Sequence, residues 1–203
     1  MKIENLELMQ GAKDALKNKW EKAIVTMLVC ILIDIGISYI PYIGGIASLI
    51  ITGPLFLGVA IFSLSISRNQ EANLNQIWEG FNHFATAVEA YLISLLFIFL
   101  WTLLLIIPGI IASIGYSMTF YIIADERNID AVEALKLSKK MMDGYKLQYF
   151  YLTLRFLGWF ILCILTLGIG LIWLIPYIQI TQAKFYEYVK GNYQNNSSIE
   201  TCP

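Results

Sequence analysis

Four polar side chains stand inside runs that are otherwise apolar: Asp34, Arg155, Gln179 and Gln182. A carboxylate, a guanidinium and two amides can form an ion pair, share a forked hydrogen bond, or seat an anion. Other sources of chemistry are sparse. The single histidine, His83, has no second histidine at metal-ligand spacing and reads as a polar residue of an aromatic-rich helix. Cys30 and Cys163 lie in apolar runs and Cys202 stands one residue from the end, with no Cys-x-x-Cys spacing. They are expected to pack as small hydrophobes. No H-E-x-x-H, G-x-S-x-G or phosphate loop occurs, and Asp34 is the only carboxylate deep within an apolar run. Glu89 and Asp125 fall near helix ends, where a solvated carboxylate costs little. The expectation is a protein that is not an enzyme and carries no cofactor or metal.

The surroundings of these groups explain why they stand out. Hydrophobic residues make up 58% of the 203 residues and charged residues 14%, with a mean hydropathy of +0.64. A soluble domain carries about a quarter charged residues. Between Lys146 and Lys184, Arg155 is the only charge in 37 residues. A bilayer-crossing helix needs about 20 apolar residues, so that stretch holds two short spans and a turn. The composition predicts an all-α, polytopic membrane protein. A formal net charge of −1 gives no sign of a nucleic-acid partner, and membrane lipids are the expected partners, with a membrane protein or a second copy of the chain as further candidates.

Six apolar runs can be drawn, at about 23–40, 46–66, 86–107, 110–124, 147–167 and 171–183. They pair through small uncharged turns, "PYIGG" (41–45), "PG" (108–109) and "GIG" (168–170), whereas the connections at 67–85 and 125–146 are long and polar. Six transmembrane helices in three hairpins follow. Lys and Arg fall in the N-terminal segment, the two long connections and the C-terminal tail, and none in the tight turns. Positive residues stay in the cytoplasm, so both termini and both long connections are expected there.

The polar segments carry helical patterns of their own. Leu74, Ile77, Trp78, Phe81, Phe84 and Val88 recur at spacings of three and four. Asp130 and Glu133 form a capping-box pattern, Lys139 and Lys140 fill a last turn, and Gly144 follows as a stop. Ile3, Leu6, Met9, Leu16, Trp20 and Ala23 oppose a Lys-rich face. These patterns predict amphipathic helices lying in the cytoplasmic membrane interface. The order of interfacial helix, span, turn and span then repeats three times, over about 2–68, 70–127 and 129–190. Residues 1–192 form one membrane domain, and 193–203 are a polar tail expected to be disordered.

Together the segments "AKDALKNKWEKAI" (12–24), "GPLFLG" (53–58), "IWEGFNHF" (77–84), "LWTLLLIIPGII" (100–111), "YSMTFYIIADE" (116–126), "AVEALKLSKKMMDGYK" (131–146), "FLGWFIL" (156–162), "LTLGIGLIWLIPY" (165–177) and "KFYEY" (184–188) carry a likeness. The chain resembles the bacterial integral membrane family catalogued as domain of unknown function 975. The resemblance runs along nearly the whole chain and implies a multi-pass protein of the bacterial cytoplasmic membrane. It brings no activity with it. The family commonly has Ser where Arg155 stands and Pro where Phe120 stands, which sets Arg155 outside any role shared by the family.

Depth counting gives the four polar groups candidate partners. Arg155 lies 13 residues before Gly168, and Asp34 lies 9 before the middle of "PYIGG". At 1.5 Å per residue they differ by roughly 6 Å in depth, within reach of an arginine side chain. Gln182 is level with Arg155 and Gln179 is one turn away. Arg155 is therefore expected to pair with Asp34 or the two amides and fasten the hairpins. The alternatives are that it snorkels to lipid phosphates or that it lines a site for an anionic ligand. The functional expectation is an accessory or interaction protein, with a small transporter or lipid-handling protein as the alternative.

Overall fold

The computed structural model describes residues 4–39, 44–166 and 168–200. Every regular element among them is helical. The helices are α1 (Asn5–Leu16), α2 (Trp20–Ser38), α3 (Gly44–Ser67), α4 (Gln76–Glu79), α5 (Phe84–Leu104), α6 (Ile106–Tyr116), α7 (Thr119–Asp125), α8 (Ala131–Met141), α9 (Lys146–Leu165) and α10 (Leu171–Glu200), with a 3₁₀ turn at Gly80–His83 before α5. In the stretch expected to be the second unit, the second apolar run is divided into two short helices, α6 and α7.

Four stretches among the described residues are long and apolar enough to cross a membrane: Ala47–Ser67, Gln76–Leu104, Ile106–Asp125 and Lys146–Leu165. Six were expected. The difference is chemical. α2 carries Glu21, Lys22 and Asp34 within 19 residues. The first half of α10 is diluted by Gln179, Gln182, Lys184 and Glu187. Beyond that half, α10 stays helical to Glu200, through most of the segment expected to be a disordered tail, and Tyr193 there lies under Lys140.

α3 is the central helix, 72% buried over its apolar window, against 17% for the α4–α5 stretch and 22% for α9. It can be central because its surface is cut away. A Cβ on Gly58 would stand 2.2 Å from the Ile77 carbonyl oxygen, and one on Gly80 would stand 2.2 Å from that of Pro54. Backbone therefore meets backbone where α3 crosses the α4–3₁₀ segment, which only glycine permits. Pro54 is accommodated inside α3 itself.

The hairpin turns differ in detail from the sequence reading. Between α5 and α6 the break falls at Leu105, which is extended (φ −161°, ψ 144°), and not at "PG". Pro108 sits in the first turn of α6, where its missing N–H would have no intrahelical partner. Gly109 lets α6 close on α5, since a Cβ there would meet Thr102 Oγ1 at 2.2 Å. The "GIG" turn is where it was expected, with Gly168 left-handed at φ +82°. Residues 40–43 of the first turn lie outside the described residues.

The amphipathic segments also find different partners from those expected. α1 buries Leu8, Met9, Ala12, Ala15 and Leu16, and leaves Leu6 exposed. That face packs on α3, α9 and α10, and Tyr177 of α10 donates to the Met9 carbonyl at 3.1 Å. α8 buries Ala131, Ala134, Leu135, Ser138 and Met141 against α5, α6 and α7. Its Ser138 hydroxyl donates to the Gly115 carbonyl at 2.7 Å. Asp130 takes the N-cap position without a side-chain cap bond, and Gly144 ends the segment at φ +82°. Of the 74–88 stripe, Ile77 is buried while Leu74, Trp78 and Phe84 are exposed, because the 3₁₀ turn breaks the helical register.

Exposed apolar side chains concentrate toward the hairpin turns. Leu103, Ile107 and Leu165 keep 75%, 72% and 75% of their surface open. Exposed apolar side chains run along α2 from Lys22 to Tyr39, interrupted by the exposed Asp34, along α5 from Glu89 to Leu104, and along α9 from Lys146 to Leu165, interrupted by the exposed Arg155. These bands are roughly 23–29 Å tall at the helical rise. The opposite ends of α3 and α7 meet the middle of α10 in a charged cluster, so the molecule has an apolar tip end and a polar base.

Candidate functional site

A cavity of about 680 Å³ opens between α3, α5, α6, α7 and α10. Phe56, Val59 and Ala60 of α3 form one wall, Ser94, Leu95 and Phe99 of α5 another, and Tyr116, Phe120 and Tyr121 a third. Gln179 and Gln182 of α10 close the remaining side. No Asp, Glu, Lys, Arg or His lines it. Most of its hydroxyls are already engaged with backbone: Thr102 donates to Ile98 at 2.7 Å, Ser113 to Ile110 at 2.8 Å and Ser117 to Ile114 at 2.7 Å. Tyr121 OH lies 3.2 Å from the Gln179 backbone oxygen and 3.3 Å from its side-chain Oε1. Ser94 is different. It is 9% exposed, lines the cavity, and its Oγ has no hydrogen-bond partner among the described residues. A buried hydroxyl left unpaired costs about 1–3 kcal/mol, which sets Ser94 apart from the engaged hydroxyls of the lining.

The four sequence-derived polar residues are divided by the fold. Gln179 and Gln182 share the large cavity. Asp34 lines a neighbouring depression with Cys30, Thr52, Ile175 and Gln179, on the other side of Phe56 and Val59. Arg155 is elsewhere. It is exposed on α9 and lines a shallow depression with Glu4, Asn5, Leu6, Gln148 and Tyr151. Equal depth placed Arg155 level with the amides, but depth says nothing about which way a helix face turns. Gln179, one of the four, connects the two depressions.

The base of the molecule holds a cluster that the sequence reading passed over. Asp125, treated there as solvated, is only 11% exposed at its side chain. Arg68 Nη2 donates to its Oδ1 at 2.8 Å, Tyr186 OH donates to its Oδ2 at 3.1 Å, and Lys190 Nζ pairs with the same Oδ2. Arg68 also reaches Glu187 through Nε at 2.9 Å. Lys184 donates to the Ser67 carbonyl. Burial works to lower the Arg68 pKa, and the two carboxylates more than offset it, holding it above its ordinary value. The signal available in the sequence was positional: Arg68, Asp125 and Glu187 are charges that each follow an apolar run, at the end of α3, at the end of α7 and in the middle of α10. No group of His, Cys, Asp and Glu among the described residues could hold a metal ion. The cluster joins α3, α7 and α10.

An all-helical chain with four helices long and apolar enough to cross a bilayer is thus defined by the fold. A family model described as "Protein of unknown function (DUF975)" matches residues 94–193, and over that region the chain is similar to that family. The match takes in the segments from "LWTLLLIIPGII" to "KFYEY" and stops short of the earlier ones. No curated protein and no solved structure matches the chain.

Proposed function

We propose that this is a multi-pass integral protein of the bacterial cytoplasmic membrane, with both termini cytoplasmic, that works without catalysis by holding an uncharged, lipid-like ligand among its hairpins. The observation that carries this reading is the 680 Å³ cavity, which has no charged side chain in its lining and one unpaired buried hydroxyl, Ser94. Ligand pockets of 300–1,000 Å³ are lined mainly by apolar and aromatic groups, with a few polar atoms that orient the ligand. The apolar bands of roughly 23–29 Å approach the ~30 Å hydrocarbon core of a bilayer, which supports immersion of the tip end. An accessory role fits such a binding protein. Transport fits less well, because the polar groups are split between separate depressions and Arg155 does not reach the cavity.

The test is lipid extraction and mass spectrometry of the detergent-purified protein. An uncharged lipid should be enriched over the source membrane. Ala60→Leu, which fills the cavity wall, and Ser94→Ala, which removes the free hydroxyl, should each reduce the enrichment. An extract matching the bulk membrane, or one unchanged by both substitutions, overturns the reading.

A further inference from the structure

A second depression lies on the α6 face away from the large cavity. Its floor and walls are Trp101 of α5 and Pro108, Ile111, Ala112, Gly115 and Tyr116 of α6. One end is closed by Lys139, from the last turn of α8, and Lys146, the first residue of α9. Two lysine side chains from different helices thus line the same apolar trough. Lys139 packs over Gly115, its Cγ 4.0 Å from where a Cβ on that glycine would stand. The Ser138–Gly115 hydrogen bond at 2.7 Å pins α8 in this register. Lys139 is in no salt bridge among the described residues. Lys146 has only Asp143 at 3.4 Å, a partner that is itself 83% exposed.

We infer that this trough binds an anionic phospholipid, its phosphate between Lys139 and Lys146 and an acyl chain along Ala112, Ile111 and Pro108. Charge and shape both point to that occupant. Polybasic groups at a membrane surface attract anionic lipids, and an apolar channel running from them suits a chain and not a soluble anion. From Gly115 to Pro108 the trough is about 10 Å long at the helical rise, two-thirds of one leaflet of a ~30 Å hydrocarbon core. Trp101 at the far end supplies a flat apolar wall. The inference shares with the proposed function the premise that the tip end is immersed in lipid and the Tyr116 side chain, which lines both depressions, but its other residues and the charge of its ligand differ.

The experiment is native mass spectrometry of the detergent-purified protein titrated with phosphatidylglycerol, phosphatidylcholine and inorganic phosphate. Phosphatidylglycerol should be retained in preference to phosphatidylcholine, and millimolar phosphate should not compete with it. The double substitution Lys139→Gln/Lys146→Gln should weaken phosphatidylglycerol binding by about 10-fold or more. Lys17→Gln/Lys22→Gln, which removes the same charge from another part of the molecule, should leave it unchanged. Ala112→Phe, with both lysines intact, should also weaken it by blocking the chain. Equal retention of the two lipids, full binding by the lysine double variant, or effective competition by phosphate would each overturn the inference. Ala60→Leu touches only the large cavity, so loss of the uncharged lipid with retained phosphatidylglycerol preference separates the two readings. A chain that fractionates away from membranes would defeat both.

Discussion

Asp125 receives donors from two other helical segments, Arg68 at the end of α3 and Tyr186 and Lys190 on α10. A carboxylate with so little exposure is stable only when its lone pairs are matched this way. Arg68 is the member that reaches two carboxylates at once, because its planar fork presents Nε and Nη2 in different directions. Arg68→Ala should therefore lower stability by about 1–2 kcal/mol, the scale of a charge-assisted hydrogen bond. Arg68→Lys should recover only part of it, since one ammonium cannot reproduce the fork. A double-mutant cycle of Arg68→Ala with Asp125→Ala, read as thermal unfolding in detergent, should show non-additivity of similar size; additive losses would mean that the contact contributes nothing. At this scale the sequence was informative about residue type and silent about pairing. It identified Asp34, Arg155, Gln179 and Gln182 as unusual because each interrupts an apolar run. It could not show that Gln179 and Gln182 turn into one cavity while Arg155 faces outward, since helix rotation is decided by contacts between distant segments.

The helices themselves were largely legible, because apolar length and Pro/Gly punctuation are local properties. α8 ends at the glycine stop that its sequence advertises, and the α9–α10 turn falls on its glycines. What was lost was the fate of amphipathic faces. A Lys-rich helix with an apolar stripe looks the same whether the stripe meets lipid or protein, and α1 and α8 spend theirs on protein. The number of apolar spans was overcounted for a related reason: breaks between runs were visible, but the charges of α2 and the amides of α10 were discounted. The crossing of α3 with the α4–3₁₀ segment gives a test of packing between elements. Gly58→Ala and Gly80→Ala each put a methyl 2.2 Å from a carbonyl oxygen, and backbone cannot yield as a flexible side chain does. Each should cost about 1–3 kcal/mol and lower the yield of monodisperse protein on size-exclusion chromatography. Gly11→Ala, on α1 with nothing within 4 Å, should instead be neutral or stabilising by up to ~1 kcal/mol. If all three behave alike, close backbone approach is not what makes α3 central.

For the molecule as a whole, the polarity of its two ends implies how it sits in a bilayer. The tip end exposes Leu105, Ile106 and Ile169, and the base carries Arg68, Asp125, Glu187 and Lys190. Charge of that density is costly in hydrocarbon, whereas at the cytoplasmic surface it follows the bias of positive residues. This cluster joins the ends of α3 and α7 to the middle of α10. With the helices tied there, the α5–α6 and α9–α10 turns are expected on the same side of the membrane. The prediction uses single cysteines in a background with Cys30, Cys163 and Cys202 replaced. Leu105→Cys and Ile169→Cys should react in intact cells with a small membrane-impermeant maleimide, or with a lipid-soluble one if the tips stop within the headgroup layer. Glu71→Cys and Asn128→Cys, both exposed at the base, should react with the impermeant reagent only after the membrane is opened. Labelling of the base cysteines in intact cells would invert the orientation, and labelling of tips and base from opposite sides in one hairpin but not another would break the shared direction that the Arg68–Asp125–Glu187 junction requires.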